Sequence, residues 1–298
     1  MTFVLSQSNY GKSEIRLVKV VRGEGRHELS DVTVDVMLDG DFDAAHSDGD
    51  NSALIATDTM RNGVYVLAAK RDVADLEGFG RALVEHFVEA GPTVQRATIR
   101  LVERPWARLG EHEHAFQRGA GGERVAVVSG DGHSLRFEAG VEGLDVLRTT
   151  GSGWSGFVRD ELTTLPETDD RILATAVTAH WSYAEGGLDY TAAWHAARDA
   201  ILESFADHYS PSVQFSLRRM GRAVLKAVDA IERVHLSLPN RHHLVYDLSR
   251  FGLENPNEVF HATTEPYGLI EGTVEREPAE AGPPLNGNAA LAAQQVDL

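Results

Sequence analysis

An α+β fold with antiparallel sheets and packed helices is what this 298-residue chain predicts. Three observations carry that reading. Apolar residues alternate with polar ones over several short segments, as half-buried strands require. Elsewhere they recur at three- and four-residue spacing, as the buried stripe of a helix requires. The order of strands, then helices, then strands also occurs twice, at a spacing of about half the chain, which suggests an internal duplication.

Taken in order, Val32, Val34, Val36 and Leu38 share one face of a strand, and the apolar segment from Ile15 to Val21 reads as its hairpin partner. Leu76, Phe79, Leu83 and Phe87 form a helical stripe behind Asp72 and Asp75 as candidate caps. Ala97, Ile99 and Leu101 alternate again. In the second half, Ile172 to Tyr183 is strand-like, and Trp194, Ala197, Ile201 and Phe205 form one helical stripe. Leu217, Met220, Val224, Val228 and Ile231 form another, before Val234, Leu236 and Leu238 alternate and Leu244-Val245-Tyr246 follows a polar turn. From about Glu275 a Pro/Glu/Ala stretch cannot offset its ordering entropy and predicts a disordered tail. The expected units are 1–140 and 141–274, with the tail at 275–298.

Composition narrows function. Lys and Arg number 28 against 45 Asp and Glu, a net charge of −17. Broad nucleic-acid binding and docking on anionic membranes are disfavoured by that sign, although one local cation can overrule it inside a pocket. The chain has no cysteine, which excludes disulfides, thiolate metal sites and a Cys nucleophile. Its start lacks the cationic, apolar pattern of a signal peptide, and no run reaches membrane-spanning length, so a soluble intracellular protein is expected.

Five polar clusters stand out: Asn9 to Ser13, Asn51 to Thr59, Gly156 to Arg171, Ser212 to Gln214, and Ser237 to His243. Singly, each has an ordinary reading. Lys12 is an exposed lysine, Thr57 or Asp58 a helix cap, Arg171 an ion-pair partner, Asn240 a turn residue, and His242 and His243 structural histidines. No phosphate-cradling loop, nucleophile elbow or HExxH is present. Glu111-His112-Glu113-His114 could offer imidazoles to a metal only if a third ligand converged, and solvated loop histidines are the simpler reading.

Together and in order, the clusters resemble the urate oxidase (uricase) family. The phrases are Tyr10-Gly11-Lys12, Asn51-Ser52 with Ala56-Thr57-Asp58, Thr163-Thr164-Leu165 with Glu167 to Ile172, Ser212-Val213-Gln214, Ser237 to His242, and Pro266 to Ile270. The resemblance implies two tandem T-fold (tunnelling-fold) units in a homotetramer that encloses a tunnel, with active sites at subunit interfaces. It implies no cofactor and no metal, and a reaction of purine catabolism that takes urate, O2 and water to 5-hydroxyisourate and hydrogen peroxide. Lys12, Thr57 and His242 would form the proton relay, with Thr57 contributed by a neighbouring subunit and meeting Lys12 only across that boundary. Arg171 and Gln214 would hold the purine edge, the backbones of Asp58 and Val213 would add hydrogen bonds, and Asn240 would orient O2 or water.

One departure lies at the stacking position, where Trp154 stands in place of the family's usual Phe while keeping a flat π face. Another lies at the end, Val296-Asp297-Leu298, which lacks a peroxisomal Ser-Lys-Leu, so a cytoplasmic, bacterial enzyme is expected. T-fold enzymes of pterins or GTP would need a Glu anchor where Arg171 and Gln214 match instead. A purine-binding protein without chemistry would lack one of Lys12, Thr57 and His242.

Overall fold

The computed structural model describes residues 3–184 and 186–277. In chain order the elements are β1 (Asn9–Arg22), β2 (His27–Gly40), α1 (Asp43–Ser47), α2 (Thr57–Lys70), α3 (Leu76–Ala90), β3 (Val94–Glu103), β4 (Trp106–Arg108), β5 (Phe116–Arg118), β6 (Glu123–Gly130) and β7 (Leu135–Arg148). They continue with β8 (Leu173–Tyr183), α4 (Tyr190–Ala206), α5 (Val213–Ala227), β9 (Ile231–Val245) and β10 (Phe260–Glu275). Strands β1, β2, β3, β6, β7, β8, β9 and β10 pair in that spatial order into one antiparallel sheet, while β4 and β5 form a separate ribbon. Apart from the short α1 and the β4–β5 ribbon, both insertions in the first half, two strands, two helices and two strands thus occur twice, as the duplicated sequence order anticipates. Of the tail expected at 275–298, Glu275 still belongs to β10 and Arg276 N–H donates to Glu232 O at 2.9 Å; the part beyond Glu277 lies outside the described residues.

Alternation sets the two faces of the sheet. Val32, Val34, Val36 and Leu38 are fully buried beneath the helices, because successive side chains of a strand point to opposite faces. On the helix-free face Arg100 donates two hydrogen bonds of 3.0 Å to Glu142. His180 stands 3.0 Å from the same carboxylate. The His180 and Arg100 contacts hold the Glu142 carboxyl below its usual pKa.

The helices follow their apolar stripes. Asp75 caps α3, accepting from the Gly78 N–H at 3.0 Å, while Asp72 bonds Ala74 one turn earlier. In α4 Trp194, Ala197, Ile201 and Phe205 are buried as the stripe requires. The second stripe of that half runs on too far in sequence. Helix α5 stops at Ala227, Val228 turns extended, and Ile231 opens β9. A tight turn returns Ile231 to the same core, so its spacing mimics another helical turn.

Three strands of the main sheet escape the periodic reading, as do the short β4 and β5. β6, β7 and β10 carry glycines and charges that mask their alternation. The polar turn expected at Pro239 to His243 is instead part of β9, paired with β10.

A buried ion pair of the first half lies against helix α4 of the second. Arg124 of β6 donates to Glu77 of α3 at 2.6 Å, with both side chains almost wholly inaccessible. Its guanidinium also lies 5.6 Å from the Trp194 ring centroid and 3.3 Å from Thr191 Oγ1, both on α4. Burial pushes the Glu77 pKa up, and Arg124 opposes that shift. Arg124→Met would strand an uncompensated carboxylate and should cost about 3–5 kcal/mol in chemical denaturation. Adding Glu77→Met should recover most of the loss, and equal stability of the single and double variants would contradict the pairing.

Candidate active site

The segment between β7 and β8 is held against the start of α5 by backbone bonds. Trp154 N–H donates to Thr168 O at 2.7 Å and Thr168 N–H returns to Trp154 O at 3.0 Å. Arg171 N–H donates to Ser152 O, and Gly153 N–H to Ser210 O, both at 2.8 Å. Gly153 is needed for this approach. A Cβ there would stand 2.2 Å from the Tyr209 hydroxyl, which itself donates to Asp169 O at 2.9 Å.

Helix α5 faces this segment with its N-terminus. Ser212 is the N-cap and its Oγ accepts from Phe215 N–H at 3.1 Å. Val213 and Gln214 open the helix, so their N–H groups have no intrahelical acceptor and, with the helix dipole, favour an anion. On β9, Asn240 and His242 continue the face of Leu236 and Leu238, the face that the helices cover.

These elements enclose a cavity of about 760 Å3 lined by Trp154, Arg171, Val213, Gln214, Asn240 and His242, with apolar walls from Ile172 and Ile270. Arg171 is the strongest sign of a ligand. Its Nε is buried without a hydrogen-bond partner, although a buried guanidinium N–H without an acceptor is costly. Burial lowers its pKa, yet a guanidinium stays charged. The Arg171 Cζ stands 6.0 Å from the Trp154 ring centroid. Phe157 stacks on Trp154 at 5.6 Å with a 12° interplanar angle, and Arg159 closes the column 5.6 Å from Phe157. The cavity thus presents a fixed cation, a braced aromatic plate and free helix N–H groups, a set that suits a flat anionic ring.

Lys12, Thr57 and Asp58 do not line this cavity. They stand at the far side of the sheet, on β1 and the first turn of α2. A bulge sets the direction of Lys12. Ser13 and Glu14 together face Asp35, so Lys12 opposite Val36 and Ile15 opposite Val34 point to the same helix-covered face. Glu14 takes a φ of 59° and donates its N–H to Asp35 Oδ1 at 2.7 Å. Gly11 allows the close crossing, since a Cβ would meet Val36 O at 1.8 Å. The Tyr10 hydroxyl accepts from Ile55 N–H at 2.8 Å, which ties the Thr57 end of α2 to the β1 segment carrying Lys12. Within one chain, Lys12 and Thr57 therefore lie at the same edge of the sheet, where α2 packs on β1. Ala56, not Thr57, is the N-cap of α2, and no side chain caps it.

Sequence reasoning passed over Tyr209, Ser210 and the glycines around Trp154, whose contribution is backbone geometry with no periodic signal. Among the described residues no three His, Asp or Glu side chains converge as metal ligands.

A family model described as Uricase matches residues 8–129 and 137–271. The chain belongs to the uricase family. The uricase of Arthrobacter globiformis is 45% identical over 287 residues, covering 96% of this chain and 95% of that one. The uricase of Dictyostelium discoideum is 38% identical, covering 91% and 97%. The crystal structure of the Arthrobacter globiformis uricase superposes with a TM-score of 0.90 at 44% identity, covering 95% of this chain and 99% of that one. A urate oxidase from Bacillus sp. TB-90 shares the fold at a TM-score of 0.77 and 21% identity, covering 90% and 100%. In this uricase fold, two tandem T-fold units make up the single sheet described above.

Gly153→Ala should cost about 1–3 kcal/mol of stability through the clash with Tyr209. Combined with Tyr209→Phe, which removes the clashing oxygen, it should cost less than the sum of the single changes. Strict additivity in denaturation experiments would mean that the two residues do not touch.

Proposed function

We propose that the chain oxidises urate with O2 and water to 5-hydroxyisourate and hydrogen peroxide, without a cofactor, in urate catabolism. Family membership makes it a urate oxidase, an oxidoreductase. The observation that carries the finer reading is the unpartnered, buried Arg171 Nε beside Trp154 and the α5 N-terminus. Urate is a flat anion whose edge can accept from Arg171 and Gln214, and whose ring can lie on Trp154. The Val213 and Asp58 backbones would add hydrogen bonds, and Asn240 would orient O2 or water above the ring.

Chemically, urate loses two electrons to O2 and gains a hydroxyl from water, and both oxygen atoms of O2 leave as hydrogen peroxide. The residues must therefore move protons while holding the ring. Lys12 is the basic end of the relay, the Thr57 hydroxyl passes the proton, and His242 completes the path. A lysine acts as base only where desolvation or a nearby cation lowers its pKa, which a closed pocket would supply.

This division implies assembly. One chain lines the cavity with Trp154, Arg171, Val213, Gln214, Asn240 and His242, while Lys12, Thr57 and Asp58 stand on β1 and α2 away from it. A second copy would bring its β1 edge to the first copy's β10 side, completing two equivalent sites. A homotetramer built from such pairs is the assembly we assign.

Loss of urate absorbance with release of peroxide, in chelator-treated buffer, is the direct test. Activity should survive, and loss on chelation restored by one specific metal would overturn the cofactor-free reading. Lys12→Met or His242→Ala should each lower kcat by ~10²-fold or more, while an unreactive purine analogue still binds. Near-normal kcat in both would remove the relay assignment.

Subunit mixing tests the shared site. Dissociating and reassociating inactive Lys12→Met with inactive His242→Ala should restore about a quarter of the sites, the statistical outcome of random two-fold pairing. Mixing Lys12→Met with Thr57→Ala should restore none, because both residues come from one edge. The reverse pattern, with proven exchange, would contradict this arrangement.

A further inference from the structure

Behind the cavity wall, between the last turn of α4 and the first of α5, runs a chain of polar groups that the relay leaves unused. His208 Nδ1 stands 2.6 Å from Ser204 O, and Nε2 stands 2.7 Å from Ser216 Oγ. Ser216 Oγ lies 2.8 Å from Ser210 Oγ, and Ser210 Oγ lies 3.0 Å from Ser212 O. Ser210 and Ser216 are buried.

The protons along this chain of polar groups must balance its contacts. Both ends are carbonyl oxygens, which only accept, and each hydroxyl has one proton to give. The four contacts thus need two protons from His208. A neutral imidazole leaves one contact empty. The imidazolium fills every contact, running outwards from His208 to both carbonyls.

Ser210 joins this chain to both arms of the cavity. Its N–H donates to Gly151 O at 2.9 Å and its carbonyl accepts from Gly153 N–H at 2.8 Å, straddling Ser152, whose carbonyl receives Arg171 N–H. Ser212 O, at the other end, also accepts Ser216 N–H at 3.2 Å, the first turn of α5. Val213 and Gln214 follow directly.

We propose that His208, acting through Ser216 and Ser210, is a positioning residue for the substrate clamp and couples anion binding there to uptake of one proton. The proposal rests on the cavity being the urate site. Arg148 faces the imidazole from the end of β7, Arg219 from α5 and Asp207 from the end of α4, and the Phe215 ring lies 5.9 Å away. Burial first, then the two arginines, hold the imidazole below its ordinary pKa, against the pull of Ser204 O and Asp207. At neutral pH the empty clamp therefore has a neutral imidazole and an incomplete chain. An anion at the α5 N-terminus adds negative charge and orders Ser212, and both favour the imidazolium. By linkage, anion affinity must then rise as pH falls through the His208 titration.

The test uses the assembled protein and an unreactive anionic purine analogue, with affinity measured by calorimetry between about pH 5 and 8, the range of an imidazole. Wild-type affinity should rise by about 5-fold or more towards acid, the scale of a coupled site. Ser216→Ala and His208→Gln should bind more weakly at acid pH, show a flatter profile and raise KM for urate. Their kcat at saturation should change by less than about two-fold, because only binding geometry is lost. Should these variants fail to fold, 15N-histidine NMR of the wild type is decisive, since saturating analogue must raise the His208 titration midpoint. An unmoved midpoint, or a Ser216→Ala profile as steep as the wild type, overturns the proposal. Failure of the wild type to bind any purine would remove the urate reading, and this proposal with it.

Discussion

Continuous antiparallel pairing from β1 to β10 is the constraint on which the rest of the molecule depends. Eight strands, each paired with its spatial neighbour, leave only two edges, and the duplicated order puts the first strand at one and the last at the other. The helices must then cover a single face, where α2 packs on β1, α3 on β3 and β6, α4 on β7, and α5 on β9 and β10. Because the sheet is not closed within the chain, residues at opposite edges stay apart whatever their side chains. That separation divides Lys12 and Thr57 from the cavity beside β9.

Within the cavity, rigidity comes from backbone bonds more than from side chains. Trp154 and Arg171 sit on a segment with no regular structure, yet short bonds to Thr168, Ser152 and Ser210 fix it against the start of α5. The orienting groups are thus set before a ligand arrives, which reduces the ordering cost of binding. A guanidinium whose Nε lacks an acceptor is tolerated there because the surrounding fold over-determines its position.

Much of this was legible in the sequence, for physical reasons that differ between elements. β2 was readable because its buried and exposed residues alternate without interruption. α3 and α4 were readable because their stripes and their preceding aspartates agree. Ser212 announced the start of α5. β7 was obscured by Gly140 and Gly143, and the bulge near Gly143 shifts its register. β1 hid its bulge, since Tyr10 and Lys12 share a face with Ile15 and Leu17 only when one extra residue is inserted, and no composition signals that insertion. The candidate residues themselves were found by family resemblance. Their generic readings as cap, turn or surface cation were each reasonable, and only the cavity distinguishes Arg171 from an ordinary exposed arginine.

Both outer strands are interrupted, β1 after Lys12 and β10 between Thr263 and Gly268. An edge strand displays a row of unpaired N–H and C=O groups, and a long uninterrupted row recruits foreign strands. Each bulge cuts that row into shorter stretches and adds local twist. A chance partner can zip along only part of either edge, whereas a partner carrying the matching irregularity meets no such limit. The same irregularities that aim residues near the chain's two ends thereby guard a cysteine-free, open-edged sheet against aggregation.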